Sequence, residues 1–562
     1  MLIAEVAMEI AYHHGFLQKI AEKYNADAAR ACGMSSSVGG IGPLLKERIE
    51  SQAELGVDVI GISLLYNSVW VQGVHQWGQI YIEKKNVGSY LRSVLEDAKI
   101  KFNLTLPDGS QTEVKVWKTM LGKGTVYLLD APDVASVVYP GPEDAPPEHA
   151  NAHEWAERQK LNQSWLVGRG SLALLKELNR RPDFLLQSET PTFFANHFLI
   201  DDAFRTDPFF HGIKYIFNDH TPLEYAHPVW NEAQVAKARI HEEFARHKNY
   251  WNAQTKSIDV TRLLIGVSTY TFGVSKKHGV VMRSMPSLKG MEDKISTITN
   301  GIAVKDWQDP DYRGWDKLTD EQLIALKEKK KNELIDWAWK RYRLWVNWRG
   351  KVRGKCFALW TRRVTSYKRF DVLHSLLKDP ALKKRFLATD VVVLVGGRLH
   401  QNDNLSQNVV FNLLDLVTHD KELADRVLVI DNYNIWDAPK LFSGVDATIM
   451  LADDGREASA TGFMKAQVNG AAVIGCQDGA VPESVTFWKE GELEANGFNV
   501  PYVHGQPQPE GLLNAFEQMN RVYHDLPARA RLVRASFKAE TFVNVDRTAG
   551  EMIRLYRSLQ QQ

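Results

Sequence analysis

The chain has 562 residues, 44% of them hydrophobic and 24% charged, and a formal net charge of +1. That length calls for about two to three domains, and the composition is that of a globular protein with a large core. A balance this close to neutral gives no reason to expect nucleic acid as a partner, and no apolar run approaches the roughly 20 residues of a membrane span. Cys32, Cys356 and Cys476 lie far apart with no CxxC pair, so neither a zinc site, another metal site, nor a disulfide framework is expected. Met1-Leu2-Ile3-Ala4-Glu5 carries no basic region or cleavage signature. The expected location is the cytoplasm, which makes the sequons at Asn103, Asn162 and Asn404 chance matches.

Short apolar runs alternate with helical patterns from end to end. The first strand is expected to start at once, followed by strands at Asp58–Leu65, Thr125–Asp130, Asp183–Leu186, Ile213–Asn218 and Arg262–Val267. Lys101–Leu106 and Thr112–Trp117 flank Pro107-Asp108-Gly109-Ser110 and read as a β-hairpin. Ala131–Pro147, rich in proline, reads as a surface loop. Leu318–Arg349 reads as one long amphipathic helix whose charges form a solvated face. Farther on, Val391–Val395, Val427–Ile430, Ala447–Leu451 and Ala471–Gly475 recur about every 20 to 35 residues, the rhythm of βα units on a parallel sheet. Two such halves imply an α/β protein of two Rossmann-like domains facing across a cleft, with ligands at the carboxyl ends of the strands. The boundary is expected near residue 305, giving domains 1–305 and 306–562, with a last helix from about Arg531 to Gln562 crossing back to the first domain.

The most informative stretch is Glu457-Ala458-Ser459-Ala460-Thr461-Gly462-Phe463-Met464-Lys465. Small residues at a helix start let backbone N–H groups close on a phosphate, and a lysine beside such a nest can tether pyridoxal phosphate. The helix is expected to begin about Lys465 and run to Gly470. By spacing alone, a solvated surface lysine is the commoner reading, because small-residue helix starts are common. Arg362-Arg363-Val364-Thr365-Ser366-Tyr367-Lys368-Arg369 places four cations in eight residues after the apolar Cys356–Trp360. On a strand Arg362 and Arg363 point to opposite faces, so each can serve a different phosphate; a basic solvated turn is the bland alternative. Gly39-Gly40-Ile41-Gly42-Pro43 opens a helix, which suits backbone approach to an anion. His220 ends the strand Ile213–Asn218, where a histidine is more often structural than catalytic.

Taken together, these segments resemble the glycogen/starch/α-glucan phosphorylase family, in a compact prokaryotic-type form. The run Glu457–Ala480 is similar to that family's cofactor segment. Four more blocks match in order: Gly39–Gly42; Asp219-His220-Thr221; Thr299-Asn300-Gly301-Ile302 with Trp307; and Arg362-Arg363 with Tyr367-Lys368-Arg369. The resemblance implies the GT-B fold, pyridoxal 5'-phosphate, and reversible phosphorolysis of α-1,4-glucan or maltodextrin by inorganic phosphate to α-glucose 1-phosphate with retention. It implies that Lys465 is the cofactor tether, with Arg362, Thr461, Gly462, Tyr433 and Trp307 around the cofactor. Arg363, Lys368 and His220 fall at catalytic positions, and Gly39, Gly40, Asn300, Glu457 and Ser459 at substrate-binding ones. The family also favours homodimers.

Departures from the pattern are specific. Asn434 stands where the family has an arginine, Thr365-Ser366 replaces His-Glu, Phe463 replaces asparagine and Ala460 replaces glycine. Gln187-Ser188-Glu189-Thr190-Pro191 matches a further family block only faintly, and His278 matches another without an assigned chemistry. Two other readings stay open: a retaining nucleotide-sugar glucosyltransferase of the same fold, against which the Met464-Lys465 block argues, and a catalytically silent carbohydrate-binding relative.

Overall fold

The computed structural model describes residues 1–74, 80–342, 351–399 and 403–561. The chain separates into two compact units, one formed by 1–69, 84–299 and 548–562, the other by 70–83 and 300–547.

The first unit is built on a nine-stranded sheet. Its order is Ile295–Thr297, Tyr270–Gly273, Lys214–Asn218, Phe184–Ser188, Leu2–Val6, Asp58–Leu64, Gly124–Asp130, Gln111–Leu121 and Glu96–Thr105. The first seven in that order run parallel, and the hairpin Glu96–Thr105/Gln111–Leu121 is added antiparallel at one edge. Asp108 shapes the hairpin turn by accepting from the Ser110 N–H at 2.9 Å, and Gly109 supplies a φ of +88° that a branched residue would resist. Strand order reverses between Leu2–Val6 and Phe184–Ser188. Such a switch leaves a crevice at the carboxyl ends of those two strands.

In the second unit six parallel strands run in the order Val427–Ile430, Val391–Gly396, Cys356–Thr361, Ala447–Met450, Ala472–Gly475 and Gly497–Asn499. Side chains alternate between faces. Cys356, Ala358 and Trp360 enter one buried cluster, and Phe357 and Leu359 enter another. Both faces are therefore covered, which explains why these strands read as unbroken apolar runs. The switch point falls between Cys356–Thr361 and Ala447–Met450, so the residues directly after those strands face a ligand crevice.

Several expectations are corrected. Arg262–Val267 is helical, within Val260–Val267, because Asp259 caps it by accepting from the Arg262 N–H at 2.7 Å. A short apolar run fits a buried strand and a buried helix equally well. The helix carrying Lys465 begins at Thr461 and ends at Gln467. The long helix is Asp320–Arg341, capped by Thr319, and residues 343–350 of the expected span lie outside the described residues. Its charges are more than a solvated face. Lys327 is buried and donates to the Val445 and Asn469 carbonyls at 2.8 Å each, and buried Lys331 lies 2.8 Å from Asp446. The expected C-terminal helix is three helices, Leu526–Lys538, Glu540–Val543 and Val545–Gln560, separated by a turn at Ala539, whose dihedrals stay in the helical region, and by the extended Asn544. The proline-rich loop is not wholly at the surface, since Val134 and Val137 are buried and their carbonyls are held by Gln163 at 3.0 and 2.8 Å.

Candidate active site

At the second unit's switch point the chain leaves Cys356–Thr361 as Arg362, which is buried. Its Nη1 donates to the Leu451 carbonyl at 2.9 Å, tying the ends of the two central strands together, and its Nη2 pairs with the Glu457 carboxylate. The approach depends on Gly397, where a Cβ would lie 1.9 Å from the Arg362 carbonyl oxygen. Arg363 is exposed, so the two arginines do point apart, although they lie just past the strand rather than within it.

Lys368 is buried with its Nζ 4.0 Å from Glu457. Burial, and then the Arg362 charge, bring its pKa from 10.5 to about 7. For Glu457 burial pushes the other way, but Arg362 and Lys368 outweigh it and hold the carboxyl below its usual range. Glu457 is positioned through the backbone: its N–H and that of Arg456 both donate to Asp478, at 2.9 and 3.0 Å. Gly479, with φ +57°, lies so close to Ser459 that a Cβ would be 2.8 Å from the Ser459 carbonyl oxygen.

Lys465 is buried, and its Nζ lies 3.8 Å from the centre of the Trp307 ring. One residue not singled out in the sequence links them. Asn469 Nδ2 donates to both the Trp307 and Lys465 carbonyls at 2.8 Å, and its Oδ1 accepts from the Asp309 N–H at 2.9 Å. Tyr433 is pushed up to about 12 by burial and lies beside Thr361. Asn434, in place of the family's arginine, makes a turn: it donates to the Asn432 carbonyl and to Asp437, each at 2.9 Å, and accepts from the Asp437 N–H at 2.9 Å. Asn300 also belongs to this unit, where its carbonyl is held by Arg547 at 3.1 Å.

Two features bear on whether a phosphorylated cofactor fits here. The buried Ser459 Oγ and Arg362 Nε have no hydrogen-bond partner among the described residues, and a buried polar group is expected to have one. A Cβ on Gly462 would meet nothing nearer than Met450 at 3.9 Å, which leaves the Thr461-Gly462 backbone open to approach. The donor set of Arg362 and the first amides of Thr461–Gln467, with buried Lys465 as the fifth residue of that helix, fits the phosphate and aldehyde ends of pyridoxal phosphate, and the unpaired Ser459 Oγ beside it is left for a ligand hydroxyl.

In the first unit His220 sits two residues past the end of Lys214–Asn218, after Asp219. Burial, reinforced by the nearby Arg48 charge, lowers its pKa to about 3, so the ring is neutral. Asn218 Nδ2 donates to the Phe272 carbonyl at 3.1 Å, and its Oδ1 accepts from Arg48 at 2.8 Å. His220 Nε2, 2.7 Å from that same oxygen, is therefore the protonated nitrogen, and Nδ1 is left as an acceptor.

Glu189 fixes the His220 backbone, accepting from the His220 N–H at 2.7 Å and the Thr221 hydroxyl at 2.9 Å. It adopts φ +69°, and burial together with neighbouring Asp219 pushes its carboxyl well above the usual range. Asp219 in turn lies 3.5 Å from His227 and 3.9 Å from His278. Gly40 caps the helix Ile41–Glu54, and a Cβ on Gly39 would meet nothing within 4 Å. Arg48 of that helix bonds Glu5 at 2.7 Å, Ser188 at 3.1 Å and Asn218, so one buried guanidinium links the glycine loop to the His220 strand. Arg48 was not singled out in the sequence, and Glu189 appeared there only within the faintly matching block Gln187–Pro191 with no role assigned.

Residues 312–506 match the model of the family described as "Phosphorylase: Carbohydrate phosphorylase". Over that segment the chain is similar to the carbohydrate phosphorylases. It is 24% identical to maltodextrin phosphorylase of Thermococcus litoralis, over 85% of this chain and 62% of that one. With glycogen phosphorylase of Aquifex aeolicus it shares 23% identity, over 82% of this chain and 73% of the other. The chain thus spans about two thirds of the length of these phosphorylases. Among solved structures, the catalytic domain of starch synthase IV from Arabidopsis thaliana, bound to ADP and acarbose, superposes with a TM-score of 0.72 at 14% identity, covering 100% of both chains. The fold of this phosphorylase relative is accordingly of GT-B type, with two Rossmann-like units.

Proposed function

We propose that the chain is an α-glucan phosphorylase that converts α-1,4-glucan or maltodextrin and inorganic phosphate to α-glucose 1-phosphate with retained configuration, using pyridoxal 5'-phosphate. The observation that carries this reading is buried Lys465 held against Trp307 in the same unit as the Arg362–Lys368–Glu457 cluster. When bound, the cofactor would supply a phosphate group that donates and accepts a proton toward the substrate phosphate.

The chain's residues then divide the remaining work. Lys465 would anchor the cofactor, Trp307 and Tyr433 would flank it, and Arg362 Nε with the Thr461-Gly462 amides would hold its phosphate. Lys368 and exposed Arg363 would orient inorganic phosphate and neutralise its charge. Glu457, Ser459 and Asn300 would take sugar hydroxyls, as would His220 through Nδ1, and the Gly39-Gly40 backbone would contact the substrate. No carboxylate pair is required, because the proton for the leaving sugar oxygen comes from phosphate.

The test is incubation of purified protein with maltoheptaose and cofactor, with and without phosphate. Release of α-glucose 1-phosphate that depends on phosphate is expected. Glucosyl transfer from a nucleotide sugar, with no phosphate-dependent release, would replace this reading with a glycosyltransferase one.

A further inference from the structure

Three lysines of the helix Asp320–Arg341 are buried, where lysines are ordinarily solvated. Lys331 pairs with Asp446 and Lys330 with Asp309, each at 2.8 Å. Lys327, 1% exposed, has no carboxylate at ion-pair distance among the described residues and spends its ammonium on the Val445 and Asn469 carbonyls, at 2.8 Å each. Taking an ammonium out of water is costly, and an apolar side chain would fill the same space without that cost. What the lysine adds is a pair of directed, charge-assisted bonds. They join Val445, just before the strand Ala447–Met450, to Asn469, just past the helix Thr461–Gln467. A cation also suits the carbonyl end of that helix.

Asn469 is the point where the Lys465 segment is gathered. Lys327 holds its carbonyl, and its side chain bonds the carbonyls of both Trp307 and Lys465. On the other side its Oδ1 accepts from the Asp309 N–H, and Asp309 is the partner of Lys330. Gln308 Nε2 holds the adjoining Val468 carbonyl at 2.9 Å. The 3.8 Å approach of Lys465 Nζ to the Trp307 ring is therefore set from Asn469.

We propose that Lys327 is a positioning residue for the cofactor: by fixing the Asn469 carbonyl it orients the side chain that spaces Lys465 from Trp307. The step from Lys465 to pyridoxal phosphate rests on the proposed function. The surroundings of Lys327 make the arrangement sensitive to pH. Burial pushes its pKa down to about 7; Lys331 and Arg529 add to this, Asp446 and Glu328 oppose it, and the Tyr312 ring lies 5.3 Å away. Below that pH both bonds are charge-assisted, and above it they weaken to those of a neutral amine.

The test is the rate at which the cofactor-supplied full chain releases pyridoxal phosphate, followed by absorbance, in wild type, Lys327→Met, Asn469→Leu and the double variant. At about pH 6.5 each single variant should release it about tenfold faster or more. The double variant should be no faster than Asn469→Leu alone, since both changes remove one contact chain. A pH series in Lys368→Met, which lacks the other lysine that loses charge near neutrality, leaves Lys327 intact. Release there should speed up as pH rises through about 7, and adding Lys327→Met should abolish that rise. Additive effects of the two variants, or a flat pH series in Lys368→Met, would overturn the proposal. Wild type that takes up no cofactor ends the functional reading and this proposal together. Unchanged release from Lys327→Met, in a protein that does take it up, ends the proposal alone.

Discussion

At the scale of single residues, charge placed in a buried setting governs the site. Lys368 loses charge near neutrality because burial and Arg362 both favour its neutral form. Anion affinity should therefore be full below about pH 7 and fall as pH rises through that value. Sulfate is the suitable probe, since its charge is constant there; its inhibition constant should rise with pH in wild type and stay flat in Lys368→Met. The same shift means that between its folded value and 10.5 the unfolded chain binds more protons, so this group makes stability rise with pH over that window. Ala460, where the family has glycine, sits at φ +67° immediately before the cofactor helix. A left-handed alanine costs roughly 1–2 kcal/mol, and a glycine gives part of that back through its own flexibility. Ala460→Gly should raise the denaturation free energy of the second unit by about 0.5–1 kcal/mol, read from the urea midpoint.

Between elements, the connections that matter are long-range, and these were the least legible in the sequence. Lys465, Arg362, Arg363 and Lys368 were readable because they sit in short strings whose chemistry is local. Arg48 was not: it lies 43 residues from Glu5 and 170 from Asn218, and on its own helix it reads as one more charged residue. Asn469 reads as a helix-end residue until the fold brings Trp307 to it across 162 positions. The parallel strands were legible because burial on both faces leaves unbroken apolar runs. The helix Val260–Val267 was misread for that same reason, with the decisive signal in the single cap Asp259. Arg48→Leu would leave Glu5 buried and uncompensated, and should cost about 3–5 kcal/mol. Amide exchange should show the loss in Ile41–Glu54 and Lys214–Asn218.

For the whole molecule, the unforeseen feature is that the second unit is discontinuous. Residues 70–83 join it, and Gln72 is the link: its Nε2 donates to the Gly397 and Asp431 carbonyls at 3.2 Å each, and its Oε1 accepts from the Leu399 N–H at 2.6 Å. Gln72→Leu should destabilise the second unit by about 1–3 kcal/mol per group left unpaired, seen as a lower urea midpoint. A fragment starting at residue 300 should be less stable still. Among the described residues, no helix is long and apolar enough to cross a membrane. The central claim is that this GT-B chain uses a tethered pyridoxal phosphate, and it reduces to one atom, Lys465 Nζ. Borohydride reduction of the cofactor-supplied protein followed by peptide mass mapping tests it directly. The account predicts a phosphopyridoxyl group on the peptide containing Lys465 and its absence in Lys465→Ala. Folded, cofactor-supplied protein with Lys465 unmodified would contradict it.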